Sequence, residues 1–241
     1  MKRIHVLLII AFLVGSCLCF RSVCNGSEVD WSGRADVGFM GKEGSSDEVS
    51  GNARVVVERE AEDSRLQLKG EWIYSEDDGD KSGEEVRLDE GFEVDLGSDI
   101  YWLMDSRFEY NWVQDLDRRV FALSGFGVYV MDGLSVDVVG GYEVEKYADQ
   151  ALEDDGIVRI RQRFNKKFDN GIEVVESVEV FPEVDDLDNL DDMYYRLVGE
   201  VELRVPIVSG LALSNRVRDE YRSKGEDKND LMVITGVSYS F

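Results

Sequence analysis

Leu231-Met232-Val233-Ile234-Thr235-Gly236-Val237-Ser238-Tyr239-Ser240-Phe241 is the stretch that decides the fold. Side chains on a strand point alternately to its two faces, so Leu231, Val233, Val237, Tyr239 and Phe241 form one apolar stripe, with mostly small residues opposite at the C-terminal end. Soluble domains seldom finish on their most hydrophobic residue, because termini fray into solvent. The closing strand of a membrane barrel, in contrast, needs an apolar band toward lipid and an aromatic residue at the interface. These five residues are therefore read as a closing strand, one that resembles the signal by which barrel-assembly machinery recognises its clients. On this stretch alone, a C-terminal strand of a soluble sandwich remains the competing reading.

The same period recurs upstream in roughly twelve segments. Val29, Trp31, Val37 and Phe39 oppose Asp30, Arg34 and Asp36; Leu66, Leu68, Trp72 and Tyr74 oppose Arg65, Gln67, Lys69 and Glu71; Val158, Ile160 and Phe164 oppose Arg159, Arg161 and Arg163. Val120 to Val130 is ambiguous, since Phe121, Leu123 and Tyr129 are apolar on the other parity too. Alternation alone does not separate a sandwich from a barrel, but the connections do. Glu60 to Asp63, Asp95 to Ser98, Met131 to Gly133, Phe168 to Gly171 and Pro206 to Gly210 are tight. Between them, Gly41 to Asp47, Ser75 to Gly83, Val113 to Asp117, Ala148 to Gly156, Pro182 to Asp192 and Arg222 to Asp230 are mostly longer and acidic. Short turns on one side and long loops on the other predict an all-β, antiparallel transmembrane β-barrel of about 12 strands, with periplasmic turns and termini and extracellular loops.

The N-terminus supports export. Lys2 and Arg3 precede the apolar run Val6 to Val14, with Gly15 and Ser16 after it, the layout of a signal peptide and too short for a spanning helix. Residues 1–26 are expected to be removed, leaving 27–241 as the barrel in the outer membrane. Val14-Gly15-Ser16-Cys17 resembles a lipoprotein box, which leaves lipidation of Cys17 as a minor alternative. His5 and all three cysteines, Cys17, Cys19 and Cys24, fall in this segment. The barrel therefore lacks the thiols for a disulfide framework and the histidine for a hydrolase triad or zinc site, and no cofactor is expected. The chain carries 27 Lys and Arg against 51 Asp and Glu, a net charge of −24. That balance repels nucleic acid.

Outward-parity aromatics are expected in two girdles, Tyr74, Tyr110, Trp112, Tyr142 and Tyr221 toward the loops and Trp31, Phe92, Trp102, Phe126, Phe164, Tyr239 and Phe241 toward the turns. Glu90, Gln162, Glu176 and Asp219 share that lipid-facing parity, and bulges, strand ends or a protonated carboxyl are expected to accommodate them.

Several stretches together resemble a known family: Val55-Val56-Val57-Glu58-Arg59-Glu60, Trp72-Ile73-Tyr74-Ser75-Glu76, Phe108-Glu109-Tyr110, Gln114-Asp115-Leu116-Asp117-Arg118-Arg119, Gly125-Phe126-Gly127-Val128-Tyr129 and Gly236-Val237-Ser238-Tyr239-Ser240-Phe241. The chain is similar, from Trp31 to Phe241, to the salt-induced outer-membrane protein family, a domain of unknown function. The resemblance implies an outer-membrane β-barrel linked to salt or osmotic stress, and carries no catalytic residues.

Function is read from the inward parity, which carries arginines and carboxylates in quantity. A salt-bridged, largely plugged lumen is one expectation. A narrow cation-preferring pore is the other, with Asp105, Glu109, Asp137, Glu143, Glu200 and Glu202 as its candidate lumen carboxylates, because rings of acids favour cations. The acidic runs Glu76-Asp77-Asp78-Gly79-Asp80, Glu153-Asp154-Asp155 and Asp185 to Asp192 lack the spacing of a calcium loop. Loosely bound divalent cations beside lipopolysaccharide are expected there. A surface adhesion protein acting through these loops is the alternative function. An enzyme is not expected, since only a pair of carboxylates could serve, as in glycoside hydrolysis.

Overall fold

The computed structural model describes residues 29–42, 48–77, 80–97, 99–112, 115–148, 151–182, 195–223 and 229–241. The expected signal segment, Cys17 and the run Asp185 to Asp192 lie outside these residues. Twelve strands follow in order: β1 (Asp30–Lys42), β2 (Glu48–Ala61), β3 (Ser64–Asp77), β4 (Asp80–Asp95), β5 (Ile100–Asn111), β6 (Leu116–Met131), β7 (Leu134–Tyr147), β8 (Glu153–Lys167), β9 (Glu173–Pro182), β10 (Tyr195–Val208), β11 (Leu211–Arg222) and β12 (Asn229–Ser240). Each pairs antiparallel with its neighbours in sequence, and β12 returns to β1, so the sheet is a closed barrel.

Closure turns the period-two pattern into an inside and an outside. Trp31, Phe39, Val55, Leu88, Phe126, Val138, Tyr142, Val201, Leu213, Val233 and Tyr239 are exposed on the outer wall. Arg54, Glu71, Arg87, Asp105, Glu109, Arg119, Asp137, Arg159, Glu202 and Arg216 are buried inside. A soluble sandwich would have its charges outside, so the sandwich reading is excluded. Aromatic exposure is high toward both rims, 62% at Trp31 and 60% at Phe126 near the turns and 59% at Tyr142 near the loops. Rings with a polar edge favour these positions at a membrane interface.

Charge also sets the register. One row of paired, inward residues runs Asp36, Arg54, Glu71, Arg87, Glu109, Arg119, Glu145 from β1 to β7, alternating in sign at every strand. Opposite charges face each other across each ladder, and a two-residue slip of one strand takes its charge out of the row.

Two details depart from expectation. The described residues of Ser75 to Gly83 and the end of Ala148 to Gly156 are ladder rather than loop: Ser75 pairs with Gly83, Glu76 with Lys81, Asp77 with Asp80, and Tyr142 with Gly156. A strand needs only about 9–11 residues to cross a bilayer. The 14 residues of β3 and 16 of β4 exceed that, and backbone pairing continues beyond it whatever the side chains. The second concerns the polar residues on the outer wall. Register breaks fall at Ser75/Glu76, Glu109/Asn111, Leu116/Arg118, Tyr129/Met131 and Pro206/Val208, none of them at Glu90, Gln162, Glu176 or Asp219. Bulges therefore do not accommodate these four. Glu90 sits within an unbroken ladder, and its carboxylate accepts a hydrogen bond of 3.3 Å from the Ser106 hydroxyl on the adjacent strand.

Candidate functional site: the charged lumen

The interior is built by the inward parity of all twelve strands, and its charges meet across the lumen as well as between neighbours. Arg159 on β8 is the centre of one group, its side chain 1% exposed. Its guanidinium donates to Asp105 on β5 and, at 3.2 Å, to Asp137 on β7, and lies 3.7 Å from Glu179 on β9. Arg161 donates to Asp137 at 2.9 Å and lies 3.1 Å from Asp105. Arg163 reaches Glu93 on β4 at 2.5 Å and donates to the Tyr101 hydroxyl at 3.0 Å.

A second group surrounds Arg119, which bonds Glu145 and Glu109, the latter at 3.3 Å, and lies 3.6 Å from Glu143. Arg196 on β10 donates to Glu143 at 3.4 Å. Glu85 on β4 accepts 2.9 Å bonds from Arg87 on its own strand and from Arg218 on the distant β11. In the third group Arg54 on β2 crosses to Glu202 at 3.1 Å and Glu200 at 3.4 Å on β10, three strands separating the two walls. Glu202 also accepts from Arg204 at 2.6 Å and from Ser214 at 3.2 Å, and Arg216 bonds Glu71.

All six carboxylates picked out by parity are thus inside, and each is held by at least one guanidinium. The reading of residues singled out neither Arg119, next to the segment of ambiguous parity, nor Arg204 as a lumen cation. It also missed an apolar plug. Tyr101, Leu103, Phe121, Leu123 and Val139 pack together, fully buried, on the inward faces of β5, β6 and β7. Arg107 lies 5.1 Å from the centre of the Phe121 ring and Arg163 5.7 Å from that of Tyr101, joining this cluster to the charged groups. The available signal was the ambiguous parity of β6 together with Gly125 and Gly127. A Cβ at Gly127 would stand 2.2 Å from the Tyr101 ring, so the glycine makes the space that the tyrosine fills.

Chemically, this interior can exclude or filter ions; its acids are engaged in ion pairs. A cavity of about 10 Å³ remains among Asp36, Asn52, Arg54, Glu202, Ser214 and Arg216. Among the described residues no group of three or more carboxylates is placed to hold a metal ion.

An apolar exterior, a closed antiparallel ring and a charged, buried interior define an outer-membrane-type β-barrel. Solved structures share that architecture. An outer membrane channel from Pseudomonas putida F1 superposes with a TM-score of 0.51 at 10% identity, covering 90% of this chain and 96% of that one. The NanC porin gives 0.50 at 7% identity, covering 87% and 97%. The chain belongs to the family described as "Protein of unknown function, DUF481", whose model matches residues 35–241. No curated protein matches it.

Proposed function

We propose that this protein is an integral outer-membrane barrel whose lumen is closed at rest by its arginine–carboxylate pairs, and that a link to salt or osmotic stress acts through those pairs. The observation that supports this is Arg159, buried and shared among carboxylates from three other strands. Removing one partner from such a group leaves a buried uncompensated charge, at a cost of about 3–5 kcal/mol, so the closed arrangement is self-consistent. Rising ionic strength shortens the Debye length from ~8 Å at physiological salt to ~3 Å at 1 M, which weakens the more hydrated contacts first. When pairs part, Asp105, Glu109, Asp137, Glu143, Glu200 and Glu202 line the path, and the current prefers cations. Leu231, Val233, Val237, Tyr239 and Phe241 form the strand that barrel-assembly machinery engages, with outer-membrane lipid and lipopolysaccharide around the wall.

Planar-bilayer recording tests the mechanism. The wild-type protein is expected to give no sustained open steps, and Arg159→Ala with Arg161→Ala to give steps whose reversal potential in a salt gradient favours cations. Steady wild-type conductance overturns the closed lumen, and an anion preference in the variant overturns the role of the carboxylates.

A second reading has one observation in its favour: Glu153, Asp154 and Asp155 are exposed on a strand at the long-loop end. In that reading the acidic loops make surface contacts, bridged to lipopolysaccharide by loosely held divalent cations. Loss of partner binding on deleting residues 153–155, with unchanged electrical behaviour, favours this alternative.

A further inference from the structure

The ladder that closes the barrel is shorter than either strand forming it. β1 and β12 pair from Arg34 with Ser240 to Phe39 with Thr235, and there the rungs stop. β1 continues to Lys42 against β2, and β12 extends back to Asn229 against β11. On the long-loop side, each of these strands therefore has, among the described residues, a paired neighbour on one edge only. The parting lies just above Gly38 and Gly236, which face each other across the seam. A Cβ at Gly236 would stand 2.4 Å from the Val37 carbonyl oxygen and 2.7 Å from the Gly38 Cα, so the strands approach more closely there than larger residues allow.

A cavity of about 60 Å³ opens at the parting, walled by Phe39, Ile73, Met232 and Ile234. Met232 and Ile234 have the inward parity of β12, yet they are apolar where their partners on β11 are Arg218 and Arg216. The Ser50 and Ser75 hydroxyls beside them bond each other at 2.8 Å. Among the described residues no charged side chain lines this cavity. On the outside, Val37, Phe39, Leu231 and Val233 are exposed and belong to the apolar belt of the wall. The cleft is thus continuous with the surface that meets lipid; Phe39, Ile73, Met232 and Ile234 give it an apolar side of the same chemistry, and Ser50, Asn52 and Ser75 form its polar side.

We propose that the parted seam between β1 and β12 takes the end of an acyl chain from a lipid of the leaflet on the long-loop side. This rests on the reading of the protein as membrane-embedded. The four apolar side chains suit a hydrocarbon, whose burial is favourable in proportion to the area removed from water. The cavity is sized for a chain end, and a charged headgroup would find no counter-charge among the described residues of its lining.

The test is photolabelling of the full chain, reconstituted in phosphatidylcholine vesicles that contain a phospholipid with a diazirine at the end of one acyl chain. Labelled residues are mapped by peptide mass spectrometry. Label is expected on the inward residues Met232, Ile234 and Ile73 as well as on outward residues such as Val233 and Val237. In Ile234→Trp, which fills the cleft, label at Met232 and Ile73 is expected to fall several-fold while outward label persists. Label confined to the outward residues overturns the acyl-chain site and leaves the membrane reading intact; label on neither face overturns both. Inward label that is unchanged by Ile234→Trp also overturns the site, since the lipid would then reach those residues by another route.

Discussion

Gly127 and Tyr101 form one unit in which a missing side chain is as specific as a present one. With the Tyr101 ring 2.2 Å from where a Cβ would be, Gly127→Ala forces the ring, and the Leu103 and Phe121 packing around it, to shift. Overpacking of this kind costs typically about 1–3 kcal/mol. Gly199→Ala is the control, with nothing within 4 Å of its added methyl, and an effect inside about 0.5 kcal/mol is expected. Urea midpoints in detergent micelles measure both, and equal shifts would refute the account. The inward direction of Asp105, Glu109, Asp137, Glu143, Glu200 and Glu202 was legible from parity alone. Their partners were not, because Arg54 and Glu202 are 148 residues apart and meet only once the sheet has closed. Parity reports which face a residue occupies, and carries no information about what stands across the lumen.

At the level of elements, the β1–β12 ladder is completed below its last rung by Phe241 and Gly33. Each backbone amide donates to the other's carbonyl at 2.9 Å, and the Phe241 ring lies over Gly33, where a Cβ would come within 2.3 Å of it. Deleting Phe241 removes both bonds and the ring from the shortest ladder of the barrel. Deleting residues 77–80 removes only the outermost rung of β3 and β4. The first deletion is expected to lower the membrane yield of folded barrel far more than the second, as read by quantitative blotting of outer-membrane fractions; comparable yields would show that Phe241 is dispensable. Strand number and order were readable from periodicity and turn spacing, while strand ends were not. Acidic residues such as Asp77, Asp80 and Glu153 have loop-like composition, yet they continue a ladder whose hydrogen bonds come from backbone.

For the molecule as a whole, closure pairs every strand on both sides over much of its length, so unfolding in detergent has few places to begin. The unboiled protein is therefore expected to migrate differently from the boiled protein on an SDS gel, and identical mobility would contradict a closed barrel. The interior has a consequence of another kind, for how such a sequence can change over time. Asp36, Arg54, Glu71, Arg87, Glu109, Arg119 and Glu145 form a single row in which every internal member has an opposite sign on both sides. Reversing one of them creates two repulsive neighbours at once, and reversing an adjacent pair merely moves the clash to the ends of that pair. The row is also tied to the rest of the lumen, since Arg54 bonds Glu202 and Arg216 bonds Glu71, so a change of sign in its middle is opposed both along the row and across the barrel.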